Sequence, residues 1–193
     1  MKNKYSYRMV ILAPVMGANY SKALYDSINT AQTKGVLFVT GAGDGNQDVD
    51  QWPFYPGAYD LPNIVSVASS ESSDYAMGMS VGANSVDLAA PGQNIYSTWL
   101  TNTYKLQTGS NSAASFAAGA AALVWAQNPT FNWKQIKALL LNGAEDGLHV
   151  NYWYGRTVTE GRLNLANSLA STLTACGKSR VLKGHGFSRA VND

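Results

Sequence analysis

The chain has 193 residues, which is the size of one compact domain or of a large piece of one. Only 13% of the residues are charged, about half of the roughly 25% that is typical of soluble domains, so much of the chain must be interior. The formal net charge is +2 and the basic residues cluster only near the C-terminus, which excludes a basic face for nucleic acid. Cys176 is the single cysteine, which excludes an intrachain disulfide and a thiolate metal cluster.

The N-terminal third predicts one crossover unit of a parallel sheet. Tyr7 to Ala13 is a short apolar strand, and Asn19 or Ser21 caps a helix that stops at Gly35. Val36 to Val39 is a second buried strand. Strand, helix and strand in this order form a right-handed crossover.

A signal peptide is an alternative interpretation of the first residues. Lys2, Lys4 and Arg8 precede the apolar run Met9 to Met16, and Gly17-Ala18 would be the cleavage site. The same run is also typical of a buried strand that leads into a helix, which we favour, so the chain has no convincing signal peptide.

The rest of the chain continues the α/β pattern. Further strands are expected at Ile64 to Ala68, Val86 to Ala89, Ile95 to Ser97 and Tyr104 to Gln107. Ser112 to Gln127 should be a helix buried in the core, with Gly119 allowing close packing against it, and its apolar run is shorter than the roughly 18 residues that would span a membrane. Asn132 caps a helix through Asn142, and Leu163 to Leu173 is the last helix.

The Gly-rich loop after the second strand resembles two kinds of binding loop, one for a dinucleotide and one for calcium. The sequence does not support the dinucleotide loop. Gly41, Gly43 and Gly45 suggest a dinucleotide loop, but the third family glycine falls on Asn46 and no helix follows. The acidic series within the loop predicts at most a weak calcium site, because the glycine and the final glutamate of an EF-hand loop are absent. Its residues are Asp44, Asn46, Asp48 and Asp50.

Several segments in register resemble one enzyme family. Residues 108–123 read TGSNSAASFAAGAAAL, which is similar to the pattern SGTSMAxPHVAGAAAL of the subtilisin-like serine proteases. Residues 35–44, GVLFVTGAGD, resemble GVLFVAAAGN of the same family, and matches near residues 55–67, 86–92 and 161–164 follow in the family's order. The resemblance covers roughly residues 9 to 170. It implies a serine endopeptidase that cleaves peptides or proteins outside the cell.

The resemblance also identifies where this chain departs from the family. The slot of the nucleophilic serine holds Asn111, whose delocalised amide nitrogen cannot be activated by an imidazole. The slot of the oxyanion-binding asparagine holds Asp44, which offers acceptors where a donor is needed. The family's Asp and His segments have no counterpart in this sequence, and His149 and His185 both follow the central helix. We therefore expect a truncated, inactive form, or alternatively a pseudoprotease that binds peptides or another subtilase chain.

The substrate-binding segments are expected at two places. The family's substrate-pairing segment aligns with Pro14, Val15, Met16 and Gly17, where proline removes one backbone donor, while Gly109 and Ser110 precede the nucleophile slot.

The predicted fold is α/β, a mainly parallel sheet with helices on both faces, lacking the first strand and helix units of a complete domain. Residues 1–176 would form this partial domain, and 177–193 a disordered tail that contains the basic cluster. One sheet edge would then be uncovered, so poor solubility or dependence on a partner chain is expected. No cofactor beyond the weak calcium site, no nucleic acid and no membrane contact is expected.

Overall fold

A computed structural model describes residues 8–75, 79–145, 153 and 155–170. The predictions for Cys176, for His149 and His185, and for the tail at 177–193 lie outside the described residues. So does the end of the last predicted helix beyond residue 170.

The centre of the fold is a four-stranded sheet in the order β1-β2-β3-β4, and all its pairs are parallel. The strands are β1 (Met9–Ala13), β2 (Val36–Gly41), β3 (Ile64–Ser70) and β4 (Leu88–Pro91). Every residue of β2 and β3 is buried, as expected of central strands covered on both faces. The prediction of an α/β fold with a parallel sheet is confirmed.

Helices cover both faces of the sheet. On one face, α1 (Lys22–Thr33) begins at the N-cap Ser21 and packs through Ile28 against β2 and β3. On the other face lie α2 (Ser110–Gln127), α3 (Trp133–Asn142) and the shorter α4 (Leu165–Ala170). Asn132 and Gln135 form a reciprocal capping box at the start of α3.

A buried ion pair joins α3 to the sheet. Lys137 Nζ lies 2.9 Å from Asp87 Oδ1, and the two side chains are 1% and 5% exposed. The ammonium group also donates to the carbonyl oxygen of Ile64, and Asp87 Oδ2 accepts from Ser66 N–H at 2.8 Å. These hydrogen bonds compensate two charges that burial would otherwise make costly.

A separate antiparallel hairpin leads from the sheet into α2. It consists of β5 (Ile95–Trp99) and β6 (Thr103–Gln107), with Tyr96 paired to Leu106. The sequence predicted both strands but not their mutual pairing. Trp99, Tyr104 and Leu106 are exposed on the hairpin.

Several predicted boundaries and one predicted environment are wrong. The last helix, α4, begins at Leu165 rather than Leu163. β4 begins at Leu88 rather than Val86. Val86 precedes the strand, and its N–H donates to the carbonyl oxygen of Gly82. Its side chain is fully buried, which is why its sequence environment resembles that of a strand residue. The central helix α2 begins at Ser110 rather than Ser112. It is also not buried on every side, since Phe116 and Leu123 are 46% and 54% exposed.

Gly119, expected to allow close packing, meets nothing of the described structure: a Cβ atom added there would find no atom within 4 Å. In the part of the chain that the structure describes, no helix has the length and apolar character to cross a membrane.

Candidate functional site

The carboxyl end of β2 meets the first turn of α2, and this junction brings the predicted nucleophile and oxyanion slots together. Ser110 is fully buried, and its Oγ accepts a hydrogen bond from Gly43 N–H at 3.1 Å. A Cβ atom at Gly41 would lie 2.9 Å from Asn111 Oδ1, so the β2 end can approach the helix this closely only with glycine there. The strand end and the helix start therefore form one packed unit.

Asp44 occupies the N-terminus of α2. Its Oδ1 accepts the backbone N–H of Ser110 at 2.6 Å, a short charge-assisted hydrogen bond. The N-cap residue Gly109 has no side chain to cap the helix, so the carboxylate of Asp44 performs that role from a distant part of the sequence. A negative charge at this end of an 18-residue helix is stabilised by the helix dipole. The N-terminus of α2 is therefore occupied by a carboxylate of the same chain, that of Asp44.

Asn111 lies in the first turn of α2, directly after the residue that Asp44 binds. Its Oδ1 is buried and receives no hydrogen bond from any described residue. Its backbone carbonyl accepts from Ser115 Oγ at 3.0 Å, an ordinary bond within the helix. The amide has no acidic hydroxyl or thiol to lose a proton, so Asn111 itself offers no nucleophile.

Neither neighbouring serine lies where the Asn111 side chain does. Ser110 Oγ is sealed inside the junction, and Ser112 lies along an apolar groove on the outer side of α2 rather than against β2. Successive helix residues are rotated by about 100°, so neither hydroxyl can take the direction of the Asn111 side chain. No histidine occurs among the described residues to act as a base.

The predicted substrate-pairing segment follows β1, at the same carboxyl edge of the sheet. Pro14 has no N–H, Val15 donates within its own turn, and Gly17 exchanges two backbone hydrogen bonds with Tyr55 at 2.8 and 2.9 Å. Among the described residues, Met16 N–H is the one backbone donor of this segment without a partner. Gly109 lies across the junction, against Asp44.

The acidic loop does not converge on a metal position. Asp44 binds Ser110, Asp48 accepts from Gln51 Nε2 and from the Asp50 amide, and Asp50 accepts four bonds from residues 84 and 85. No group of three or more His, Cys, Asp or Glu side chains within the described ranges could hold a metal ion. The weak calcium site predicted with Asn46 is thus not assembled, because the three carboxylates accept hydrogen bonds from different parts of the chain.

Two contacts at this junction were not foreseen from the sequence. Gly43 has φ +128°, and the Phe54 ring packs where its side chain would be. The N–H of the same glycine donates a hydrogen bond to Ser110 Oγ. The glycine at position 43 was visible in the sequence, but its partner is a loop residue whose position depends on the whole fold.

The sequence of the chain matches a known protein family. A model of the subtilase family matches residues 14–165, which is well over half of the chain and includes the β2–α2 junction. The chain belongs to the subtilase family. The resemblance inferred from the sequence motifs is therefore confirmed.

Individual relatives match the subtilase chain over much of its length. It is 32% identical to subtilisin DY of Bacillus licheniformis over 149 residues, which are 76% of this chain and 53% of that protein. It is 33% identical to thermitase of Thermoactinomyces vulgaris over 136 residues, 70% of this chain and 46% of the relative. Alkaline serine exoprotease A of Vibrio alginolyticus is 32% identical over 132 residues, 68% of this chain and 24% of that protein. The chain spans about half the length of subtilisin DY and of thermitase.

Proposed function

We propose that this chain is a catalytically silent subtilase, derived from serine endopeptidases that act outside the cell. The observation that carries the proposal is the hydrogen bond from Ser110 N–H to Asp44 Oδ1, at 2.6 Å. It puts a carboxylate at the helix end where peptide hydrolysis would require donors for a developing negative charge. Asn111 follows directly and supplies no nucleophile.

The expected loss of rate is large. In subtilisin, removing one oxyanion donor lowers the rate by about 10²- to 10³-fold, and removing the serine or the histidine of the triad lowers it by about 10⁶-fold. Here the serine slot and the oxyanion slot are both changed, and a repelling charge is added. No measurable peptidase activity is expected from this chain.

A casein assay tests the proposal. The purified chain should release no acid-soluble peptides from casein, whereas subtilisin DY at the same concentration serves as the positive control. The Asp44→Asn, Asn111→Ser double variant should be equally inactive, because the described residues include no histidine that could act as a base for the new hydroxyl. Casein cleavage that a serine-directed inhibitor abolishes would contradict the proposal.

A second candidate function is binding rather than catalysis, either of an extended peptide or of another subtilase polypeptide. Peptide binding is supported only by Met16 N–H, next to the half-exposed Val15. Binding of another polypeptide is supported more strongly, because α2 and the β5–β6 hairpin expose large apolar side chains. A peptide panel and a protein partner titrated separately distinguish these two forms.

We also propose that residues 1–176 form the folded unit, and limited proteolysis would test these limits.

A further inference from the structure

The β5–β6 hairpin projects from the body of the fold. In the described part of the chain, its two strands pair with each other and form a sheet of their own. Every residue from 96 to 106 is exposed, and only the base of the hairpin, where Ile95 is paired with Gln107, is partly buried. The outer end of the hairpin therefore presents both of its faces to the surroundings.

Large apolar and aromatic side chains are concentrated at this outer end. Leu100 lies at the tip and is 73% exposed, more than any other large apolar side chain of the described residues. Trp99 and Tyr104 come next along the two strands and are also exposed. Exposed apolar clusters of this kind mark contact sites for a protein or a membrane.

The charge of the hairpin is restricted to one cation. Residues 88–144 contain no aspartate or glutamate, and Lys105 is the one charged residue between positions 95 and 107. Its Nζ lies 4.8 Å from the centre of the Trp99 ring, so the ammonium group and the indole are neighbours. An anionic surface would meet a cation here and no carboxylate of this element that could repel it.

The turn at the tip satisfies some of its own polar groups. The hydroxyl groups of Thr101 and Thr103 both donate to the carbonyl oxygen of Leu100, at 2.7 and 2.8 Å. Removing a polar group from water is costly unless the group is hydrogen-bonded. These two hydrogen bonds therefore lower the cost of moving the tip out of water.

The order of side chains along the hairpin matches the layers of a bilayer surface. Leu100 is outermost, Trp99 and Tyr104 follow, and Lys105 lies one residue further from the tip than Tyr104. At membrane surfaces apolar side chains enter the acyl region, tryptophan and tyrosine lie at the headgroups, and the lysine ammonium stays in the polar layer. A protein partner would impose no such order, so a lipid surface is the favoured occupant.

We propose that the tip of the β5–β6 hairpin inserts into the surface of an anionic lipid bilayer. Leu100 and Trp99 enter the headgroup and upper acyl region, and Lys105 contacts lipid phosphate. One apolar anchor and one cation give weak, reversible binding, and this kind of contact needs no spanning helix. The proposal is independent of the catalytic one, because neither Asp44 nor Asn111 takes part in it.

Vesicle flotation with the full chain tests the proposal. Vesicles of phosphatidylcholine with phosphatidylglycerol should bind more protein than vesicles of phosphatidylcholine alone, and the difference should shrink at high salt. Leu100→Ser should weaken binding by at least about fivefold, because the apolar anchor is lost. Lys105→Gln should reduce the preference for anionic vesicles by about fivefold. Both side chains are exposed, so neither variant should change the melting temperature.

Leu123→Ser is the matched control, because Leu123 is a half-exposed leucine of α2 outside the hairpin. It should leave vesicle binding unchanged. Lipids brominated in the upper acyl chain should quench tryptophan emission of the bound chain, and Trp99→Phe should remove that quenching. The basic residues near the C-terminus are present in every variant, so differences between variants report the hairpin.

Three results would overturn the proposal directly: no binding to anionic vesicles, unchanged binding by Leu100→Ser, or equal weakening by Leu123→Ser. Light scattering without lipid covers the alternative occupant. Self-association that Leu100→Ser abolishes would assign the tip to a protein contact and would also overturn the proposal. None of these results bears on the casein assay, so failure of lipid binding is separable from failure of the catalytic proposal.

Discussion

Removing the Asp44 carboxylate should destabilise the fold, because it caps the central helix. Asp44→Ala deletes a charge-assisted hydrogen bond of 2.6 Å to Ser110 N–H and leaves that donor in a partly buried place. Loss of a helix cap costs about 0.5–2 kcal/mol, and a bond to a charged group is worth about 1.5–3 kcal/mol. We expect a loss of about 2 kcal/mol, which for a domain of this size lowers the melting temperature by about 4–8 °C.

Asp44→Asn separates the charge from the hydrogen bond. The amide oxygen can still accept from Ser110, so only the interaction of the charge with the helix dipole is lost, about 0.3–1 kcal/mol. That smaller loss should shrink further at high salt, which screens the dipole interaction. Asp26→Asn is the control, because its carboxylate pairs with Lys22 on the exposed surface and should contribute less than about 1 kcal/mol.

Urea denaturation followed by circular dichroism measures all three variants. The expected order of stability is unmodified chain, then Asp44→Asn, then Asp44→Ala, with Asp26→Asn close to the unmodified chain. If Asp44→Ala were as stable as the unmodified chain, the carboxylate would not cap α2 in solution. The interpretation of the junction would then be refuted.

Three further substitutions test other parts of the structure by the same unfolding measurement. Lys137→Met should cost about 3–5 kcal/mol, because it leaves the Asp87 carboxylate buried and unpaired, and a loss below about 1 kcal/mol would contradict the burial of the pair. Asn111→Ala should be neutral or stabilising, because it removes a buried acceptor without a donor from a helix, so a loss above about 1 kcal/mol would reveal an unrecognised bond. Gly43→Ala should cost more than about 1 kcal/mol, since φ is +128° and the Phe54 ring fills the space, and an unchanged stability would show that this turn relaxes.

Elements that depend on local chemistry were predicted well from the sequence. Ser21 caps α1 through the N–H of Leu24, three residues later, and Asn132 caps α3 through Gln135. Both signals lie within one helical turn, so a single stretch of sequence contains cap and helix. The buried strands β2 and β3 were also found, because their continuous apolar runs are typical of strands covered on both faces.

The start of α2 could not be predicted in the same way. Its cap, Asp44, is 66 residues away in the sequence, so no local pattern around Ser110 indicates that the helix begins there. Asn111 and Asp44 were identified as changed positions from the family motif, but their relation was not foreseen. The motif identifies the two residues. Only the packing of β2 against α2 shows the hydrogen bond between Asp44 and Ser110, the residue before Asn111.

The exposed face of α2 was missed for a related reason. Sequence composition shows a helix that is apolar on nearly every side, and it predicted a helix buried in the core of the domain. Composition does not indicate which sides of the helix the described residues cover. Phe116 and Leu123 show where the covering is absent from the described part of the chain.

Intact-mass spectrometry after incubation with a fluorophosphonate tests the central claim most directly. The probe reacts with activated serine hydroxyls, and subtilisin DY serves as the labelled reference. We expect the chain to keep its unmodified mass, because Asn111, at the predicted nucleophile slot, has no hydroxyl group and Ser110 is fully buried. A covalent adduct mapped to Ser110 or Ser112 would contradict the account of this junction as catalytically silent.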